Sequence, residues 1–177
     1  AGLKSDKYKT TRPTSLMLTA LKLVEQLVGA CPSGDAGKVI VVVPRKSDAM
    51  LFALFMQQGK LLSPGLRCIL FTGDVDGLKT LQCFKTDDSV RVMIAVPKKI
   101  TVGLDLSVAS AIVSLVVDWC RTSETQLFNR LTGQNQTRQP EAFRVLVAGT
   151  VQEAKVWNGA GREIKHNAVM HGKSAAT

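Results

Sequence analysis

Cationic, hydroxyl and glycine residues follow three apolar segments of the chain, where each segment gives way to polar sequence. They are Arg45 and Lys46 after the first segment, Thr72 and Gly73 after the second, and Lys98, Lys99, Thr101 and Gly103 after the third. Such side chains, and the backbone amides of glycine turns, are groups that hold phosphates. If the segments are parallel strands, these groups meet at one edge of a sheet and predict a site for a nucleic-acid backbone. The alternative is that the glycines only permit tight turns and that the lysines are solvated.

Two carboxylates, Asp105 and Asp118, also stand near predicted strand ends. A carboxylate there can act as an acid, a base or a metal ligand, but no histidine base accompanies either residue. We therefore expect each one to cap a turn or to pair with a nearby cation. The sequence contains no Gly-x-Ser-x-Gly, His-Glu-x-x-His or Gly-x-x-x-x-Gly-Lys-Ser/Thr motif, so no nucleophile elbow, zinc-protease site or Walker loop is indicated.

The cysteines and histidines do not form a metal-binding or disulfide pattern. They are Cys31, Cys68, Cys83, Cys120, His166 and His171. Their wide spacing indicates neither a zinc site nor a disulfide framework, so we expect Cys68 and Cys83 to be core or half-buried thiols. Because there is no signal peptide and no apolar run of about 18 residues, we expect an intracellular protein, nuclear or cytoplasmic, with no membrane partner.

The length and net charge of the chain indicate how many domains it forms and what kind of partner it binds. With 177 residues, of which 45% are hydrophobic, the chain fits one domain with a real core. The net charge of +9 favours a polyanionic partner such as nucleic acid, although a solvated basic surface would explain it equally well. The first residue is Ala1, and we expect the chain to be part of a longer protein.

Apolar periodicity and turn residues predict alternating helices and strands. The predicted helices cover 16–28, capped by Thr14 or Ser15, 47–58, capped by Ser47, and 77–84, and another carries Gln126 and Arg130. The predicted strands cover 39–43, 68–71, 90–96, 111–117 and 143–147. Short connections in this order predict an α/β fold with three layers and a mostly parallel sheet of about five to six strands. We divide the chain into a basic leader or linker (1–13), one lobe (14–158, with a last helix from Val151) and a polar, flexible tail (159–177).

Four short segments carry a resemblance to a known family. They are Thr101-Val-Gly-Leu-Asp-Leu106 with Ala109, Asp118-Trp119, Gln126-x-x-x-Arg130, and Gly149-Thr-Val-Gln-Glu153. Their order and spacing resemble Gly-Leu-Asn-Leu-x-x-Ala (motif V), Asp-x-x-Trp, motif VI (Gln-x-x-x-Arg-x-x-Arg-x-Gly-Gln) and Gly-Thr-Ile/Val-Glu-Glu. These motifs belong to the C-terminal RecA-like lobe of superfamily-two helicases and translocases, and the chain is most similar to the Swi/Snf-type chromatin-remodelling ATPases. The resemblance spans nearly the whole chain.

The resemblance implies a function and a distribution of site residues. The chain would be the C-terminal lobe of an ATP-dependent nucleic-acid translocase or remodeller, with DNA or RNA along the phosphate-holding residues named above. Four residues would line the interlobe ATP cleft: Gly103, Asp105, Gln126 and Arg130. ATP and Mg²⁺ would bind only together with an N-terminal RecA-like lobe of the same parent, and a multiprotein complex is a further expected partner. The chain alone is not expected to hydrolyse ATP or to hold a metal.

Departures from the family pattern leave a second hypothesis open. Gly133 stands where motif VI has its second arginine, which stabilises phosphoryl charge. Ala95 and Val96 replace the usual Ser-Thr pair before motif V. The chain could therefore be a degenerate, inactive lobe that serves as a scaffold for proteins or nucleic acid. A Rossmann-like methyltransferase is less favoured, because Pro44-Arg-Lys-Ser47 replaces a glycine-rich loop after the first strand.

Overall fold

The structure is a computed structural model that describes residues 12–29, 37–59, 62, 64–73, 77–100, 104–117, 125–126, 128–132 and 139–158. The predicted leader 1–13 and tail 159–177 lie almost entirely outside these residues. The first helix, α1 (Ser15–Gly29), buries an apolar stripe at helical spacing that includes Met17, Leu21 and Val28. The hydroxyl of Thr14 accepts a hydrogen bond from the backbone N–H of Met17 at 3.3 Å, which confirms Thr14 as the N-cap.

Five strands form one sheet, as the sequence predicted. They are β1 (Lys38–Val42), β2 (Arg67–Phe71), β3 (Val90–Ala95), β4 (Ala109–Ser114) and β5 (Glu141–Arg144). Their spatial order is β2-β3-β1-β4-β5, and every neighbouring pair is parallel. All five residues of β1 are buried, as expected of a β-branched strand that is covered on both faces.

The last two strands end earlier than the sequence predicted. The hydroxyl of Ser114 accepts from the N–H of Val116 at 3.3 Å and donates to the carbonyl of Val116 at 3.0 Å. After β5, the N–H of Val147 donates to the side chain of Gln152 and its carbonyl accepts from Thr150. Side chains therefore take the backbone groups that a longer strand would have used.

The remaining helices are α2 (Lys46–Gln58), α3 (Gly77–Thr86), the single turn α4 (Pro97–Ile100) and α5 (151–158). The prediction of Ser47 as the cap of α2 was wrong. Arg45, in an extended conformation, is the N-cap residue and makes no side-chain capping bond, so Ser47 already lies inside the first turn. The predicted basic turn after β3 is the helical turn α4. Among the described helices, none is long and apolar enough to cross a membrane.

Two apolar cores lie on opposite faces of the sheet and make the fold a three-layer one. The first core packs α1 and α2 against side chains such as Val39, Val41 and Ile94. The second core packs Leu81 and Phe84 of α3, together with Ile100, Leu106 and Leu131, against the other face. The connection after β1 leads to α2 on the first face, whereas the connection after its neighbour β3 leads to Ile100 on the other face. Doubly wound sheets bind ligands where neighbouring connections diverge in this way.

Candidate nucleic-acid interface and interlobe cleft

The carboxyl ends of all five strands lie level with one another. Neighbouring end residues are paired across the sheet: Phe71 with Ala95, Ala95 with Val42, Val42 with Ser114, and Ser114 with Arg144. We call this row and the residues that directly follow it the carboxyl edge. The residues that directly follow the strands therefore begin at the same level along the strand direction.

The phosphate-holding residues predicted from the sequence follow β2, β3 and β1, three strands that are adjacent in the sheet. Thr72 is half-buried and Gly73 has a φ of +89°, a left-handed conformation that favours glycine. Lys98 and Lys99 belong to α4, whose backbone directly follows β3. Thr101 and Gly103 lie outside the described residues.

Arg45 and Lys46 are exposed at the N-terminus of α2, directly after β1. Arg45, the N-cap residue, makes no side-chain capping bond at this terminus. The positive end of the helix dipole adds to the two cations at the same place. The sequence prediction missed this feature because it assigned a capping hydroxyl to Ser47.

Two of the residues predicted for the ATP cleft are brought together. The backbone N–H of Leu106, next to Asp105, donates to the carbonyl of Arg130 at 3.2 Å. Gln126 lies in the helical turn just before Arg130, and Leu131 is 1% exposed in the same core as α3. Asp105 and Arg130 therefore lie on the α3 face of the sheet. Gly103, Asp118 and Gly133 lie outside the described residues.

Asp105 precedes the amino end of β4, and the structure separates it from the carboxyl edge. Its carboxylate accepts a hydrogen bond from Nζ of Lys85 at 2.6 Å and another from the backbone N–H of Ser107 at 3.0 Å. Lys85, followed by Ser107, lowers the pKa of Asp105 from 3.8 to about 2. The expectation that Asp105 caps a turn or pairs with a cation is confirmed, and the strand end near which it lies is the amino end of β4.

Lys38 is the most buried charged residue at the opposite, amino end of the strands, with 4% of its surface exposed. Its ammonium group donates to the backbone carbonyls of Phe84 at 2.5 Å and Asp87 at 3.0 Å, and it lies 5.6 Å from the centre of the Phe84 ring. Burial lowers the pKa of Lys38. A cation on the last carbonyls of α3 also complements the negative end of the helix dipole. Sequence analysis did not single out this residue.

A second polar cluster lies beside Lys38. The guanidinium of Arg67 donates to the hydroxyl of Ser89 at 3.0 Å and forms an ion pair with Asp87. The carboxylate of Asp87 accepts hydrogen bonds from the hydroxyl and the N–H of Ser89, which, together with the weaker influence of Arg67, lower its pKa. These groups join β2 to the turn before β3, and we interpret them as structural.

Within the described part of the chain, no group of His, Cys, Asp and Glu side chains could hold a metal ion. Cys68 and Cys83 are half-buried free thiols, as the sequence predicted. Burial raises the pKa of Cys68, so its thiol remains protonated at neutral pH.

Comparison with known proteins yields weak sequence similarity and a strong fold similarity. No protein-family model matches the chain. It is 33% identical over 73 residues, 41% of its length, to the chromatin-remodeling ATPase INO80 of Debaryomyces hansenii, and 28% identical over 91 residues, 51% of its length, to INO80 of Saccharomyces cerevisiae. The chain spans only 5% and 6% of the lengths of these relatives.

Among solved structures, the chain is similar to the C-terminal part of the Fun30 ATPase domain. The TM-score is 0.74 at 12% sequence identity, over 87% of this chain and 49% of that one. At such low identity the similarity concerns the fold alone, and it agrees with the three-layer fold described above. The chain thus has the fold of the C-terminal RecA-like lobe of a remodelling ATPase and, over about half of its length, a sequence similar to the Swi/Snf-type ATPase INO80.

Proposed function

We propose that the chain is the nucleic-acid-binding C-terminal lobe of an ATP-dependent remodeller or translocase. The observation that carries this proposal is the level carboxyl edge, which collects Arg45 and Lys46, Thr72 and Gly73, and Lys98 and Lys99 from three adjacent parallel strands. Cationic residues and glycine turns that follow adjacent strands at one height suit the regularly spaced phosphates of a nucleic-acid backbone. Because phosphate contacts carry no sequence information directly, the binding should depend little on base sequence.

Relatives named as chromatin-remodeling ATPases support DNA as the polyanion, inside the cell and within a larger assembly. ATP and Mg²⁺ would bind between this lobe and an N-terminal RecA-like lobe, with Gln126 and Arg130 facing the nucleotide. The half-buried Arg130 next to the buried Leu131 is suited to this place, because its backbone is held while its side chain is partly accessible.

Fluorescence anisotropy with labelled duplex DNA and single-stranded RNA tests the interface. The chain is expected to bind at low salt, with an affinity that falls as salt rises because phosphate contacts release counterions. Arg45→Ala should weaken binding and lower the salt slope by about 1. Lys22→Ala is the matched control: it removes one exposed cation from the middle of α1, away from the carboxyl edge, and should leave the slope unchanged.

Two results would contradict the proposed interface. One is the absence of binding to any DNA or RNA at low salt. The other is an equal loss of affinity in Arg45→Ala and Lys22→Ala, since this would show attraction by net charge alone and no defined edge.

A specific observation also favours the inactive-scaffold alternative. Ala95, which stands where the family has the first residue of its Ser-Thr pair, is fully buried at the end of β3, and its carbonyl accepts the N–H of Val43 at 3.0 Å. No hydroxyl is offered to a ligand from this position. The scaffold proposal predicts a stable protein partner in pull-downs whose binding is unchanged by Arg130→Ala, whereas a motor role predicts that the same variant impairs ATP-dependent activity of the intact parent.

A further inference from the structure

The segment 104–107, which leads into β4, is held on both sides. On one side the carboxylate of Asp105 accepts hydrogen bonds from Lys85 in the last turn of α3. On the other side the N–H of Leu106 donates to the carbonyl of Arg130, and the Leu106 side chain is fully buried in the second core. A continuous series of contacts therefore runs from α3 through this segment to the turn that carries Arg130.

We propose that Lys85 and Asp105 form a positioning pair, which fixes segment 104–107 and thereby the backbone of Arg130. The pair acts through geometry and does not touch a ligand. The proposal rests on the proposed function in one respect, namely that Arg130 faces a nucleotide cleft. Its structural content, the coupling of the ion pair to the Leu106–Arg130 hydrogen bond, can be measured without any nucleotide.

Both oxygens of the Asp105 carboxylate already accept hydrogen bonds, which argues against a role of Asp105 as a nucleotide ligand. One oxygen receives Lys85 at 2.6 Å and the other receives the N–H of Ser107 at 3.0 Å. The similar motif of the remodelling ATPases has asparagine at this position, and an asparagine can accept from Ser107 but cannot form an ion pair. In this chain the aspartate therefore adds a charge-assisted contact to α3.

The charge pair is partly accessible, so its removal should loosen the segment without unfolding the domain. The Lys85 side chain is 29% exposed and the Asp105 side chain 50% exposed. Exposed ion pairs contribute little to global stability, but they can limit local opening. The effect is therefore expected to be larger in amide exchange at Leu106 than in the overall unfolding transition at neutral pH.

NMR-detected hydrogen exchange on the 177-residue chain at neutral pH tests the proposal. Asp105→Asn and Lys85→Met should each speed exchange of the Leu106 amide about three- to tenfold, while the amide of Val41 in the central strand should be unchanged. Lys79→Met, on the same helix, is the matched control and should leave Leu106 as in the wild type.

The proposal would be overturned by unchanged Leu106 exchange in both single variants. It would also be overturned if Asp105→Asn had an effect and Lys85→Met had none, because the carboxylate would then act without its cation. DNA binding by the same variants separates this proposal from the proposed function. Normal DNA binding with faster Leu106 exchange supports both proposals, whereas a wild-type chain that binds no nucleic acid refutes only the proposed function.

Discussion

At the scale of single residues, Lys38 links the amino end of β1 to the end of α3. Its ammonium group is buried and bonds to carbonyls at the end of α3. Lys38→Met keeps the aliphatic stem but leaves these carbonyls without a donor, which should lower the free energy of unfolding by about 1–3 kcal/mol. Urea denaturation measures this change.

The matched control for Lys38 is Lys22→Met on the exposed side of α1, which should change the free energy of unfolding by less than about 0.5 kcal/mol. A Lys38→Met variant as stable as the wild type would show that the desolvation of the ammonium offsets its hydrogen bonds.

The lowered pKa values of Asp105 and Asp87 predict how the free energy of unfolding depends on pH. Both have a pKa below the ordinary 3.8, and that of Asp105 is about 2, so the folded state favours the ionised carboxylates. The contribution of Asp105 is complete above about pH 4 and is lost as the pH falls from about 4 towards 2. Asp105→Asn should therefore flatten this part of the stability curve, by an amount within the ~1 kcal/mol typical of exposed pairs. Thermal unfolding at a series of pH values measures this change. If Asp105→Asn lost stability between about pH 4 and 2 as steeply as the wild type, the lowered pKa of Asp105 would be contradicted.

At the scale of elements, the stability of helix α5 depends on the capping hydrogen bonds at its N-terminus. The hydroxyl of Thr150 accepts from the N–H of Gln152 at 3.3 Å, and the carboxylate of Glu153 accepts from the N–H of Gly149 at 2.7 Å. A helix of eight residues is marginal by itself, so Thr150→Ala should cost about 1 kcal/mol of local stability and reduce helical chemical shifts over 151–158. The control Thr19→Ala lies within α1 and should preserve helicity there. Unchanged shifts in Thr150→Ala would show that packing, and not the cap, maintains α5.

The elements also show which parts of the structure could be predicted from the sequence. The valines of β1 and the apolar stripe of α1 are local patterns, and both elements were predicted within one residue at each end. The ends of β4 and β5 depend on bonds from Ser114 and Gln152 to the backbone, which apolar periodicity does not contain. The edge residues were predicted from residue types at strand ends and the cleft residues from the motif resemblance, but the contact of Asp105 with Lys85 at the end of α3 required the folded chain.

The role of Lys38 could not be predicted, because it joins residues 46 positions apart in the chain. In sequence it is one lysine before an apolar strand. Only the parallel arrangement of β1 beside β3 brings the end of α3 over its side chain. Contacts of this kind follow from topology, and topology follows from the whole chain.

At the scale of the whole molecule, the proposed function gives this lobe only one wall of a nucleotide cleft. Mg-ATP should therefore leave the melting temperature of the chain alone unchanged, because a ligand raises stability only when it binds the folded state. Differential scanning fluorimetry with DNA as the positive control measures this. A rise of several degrees with Mg-ATP would show that the chain holds nucleotide without a second lobe.

The buried position of Lys38 has a consequence for how the central strand finds its place. A strand covered on both faces by valines and isoleucine could shift by one residue and still present apolar side chains to each core. After such a shift the ammonium would point towards α1 and α2, away from the carbonyls of Phe84 and Asp87. The single charge in β1 therefore makes the shifted alignment unfavourable, and it selects one alignment of a strand whose other side chains barely distinguish the two.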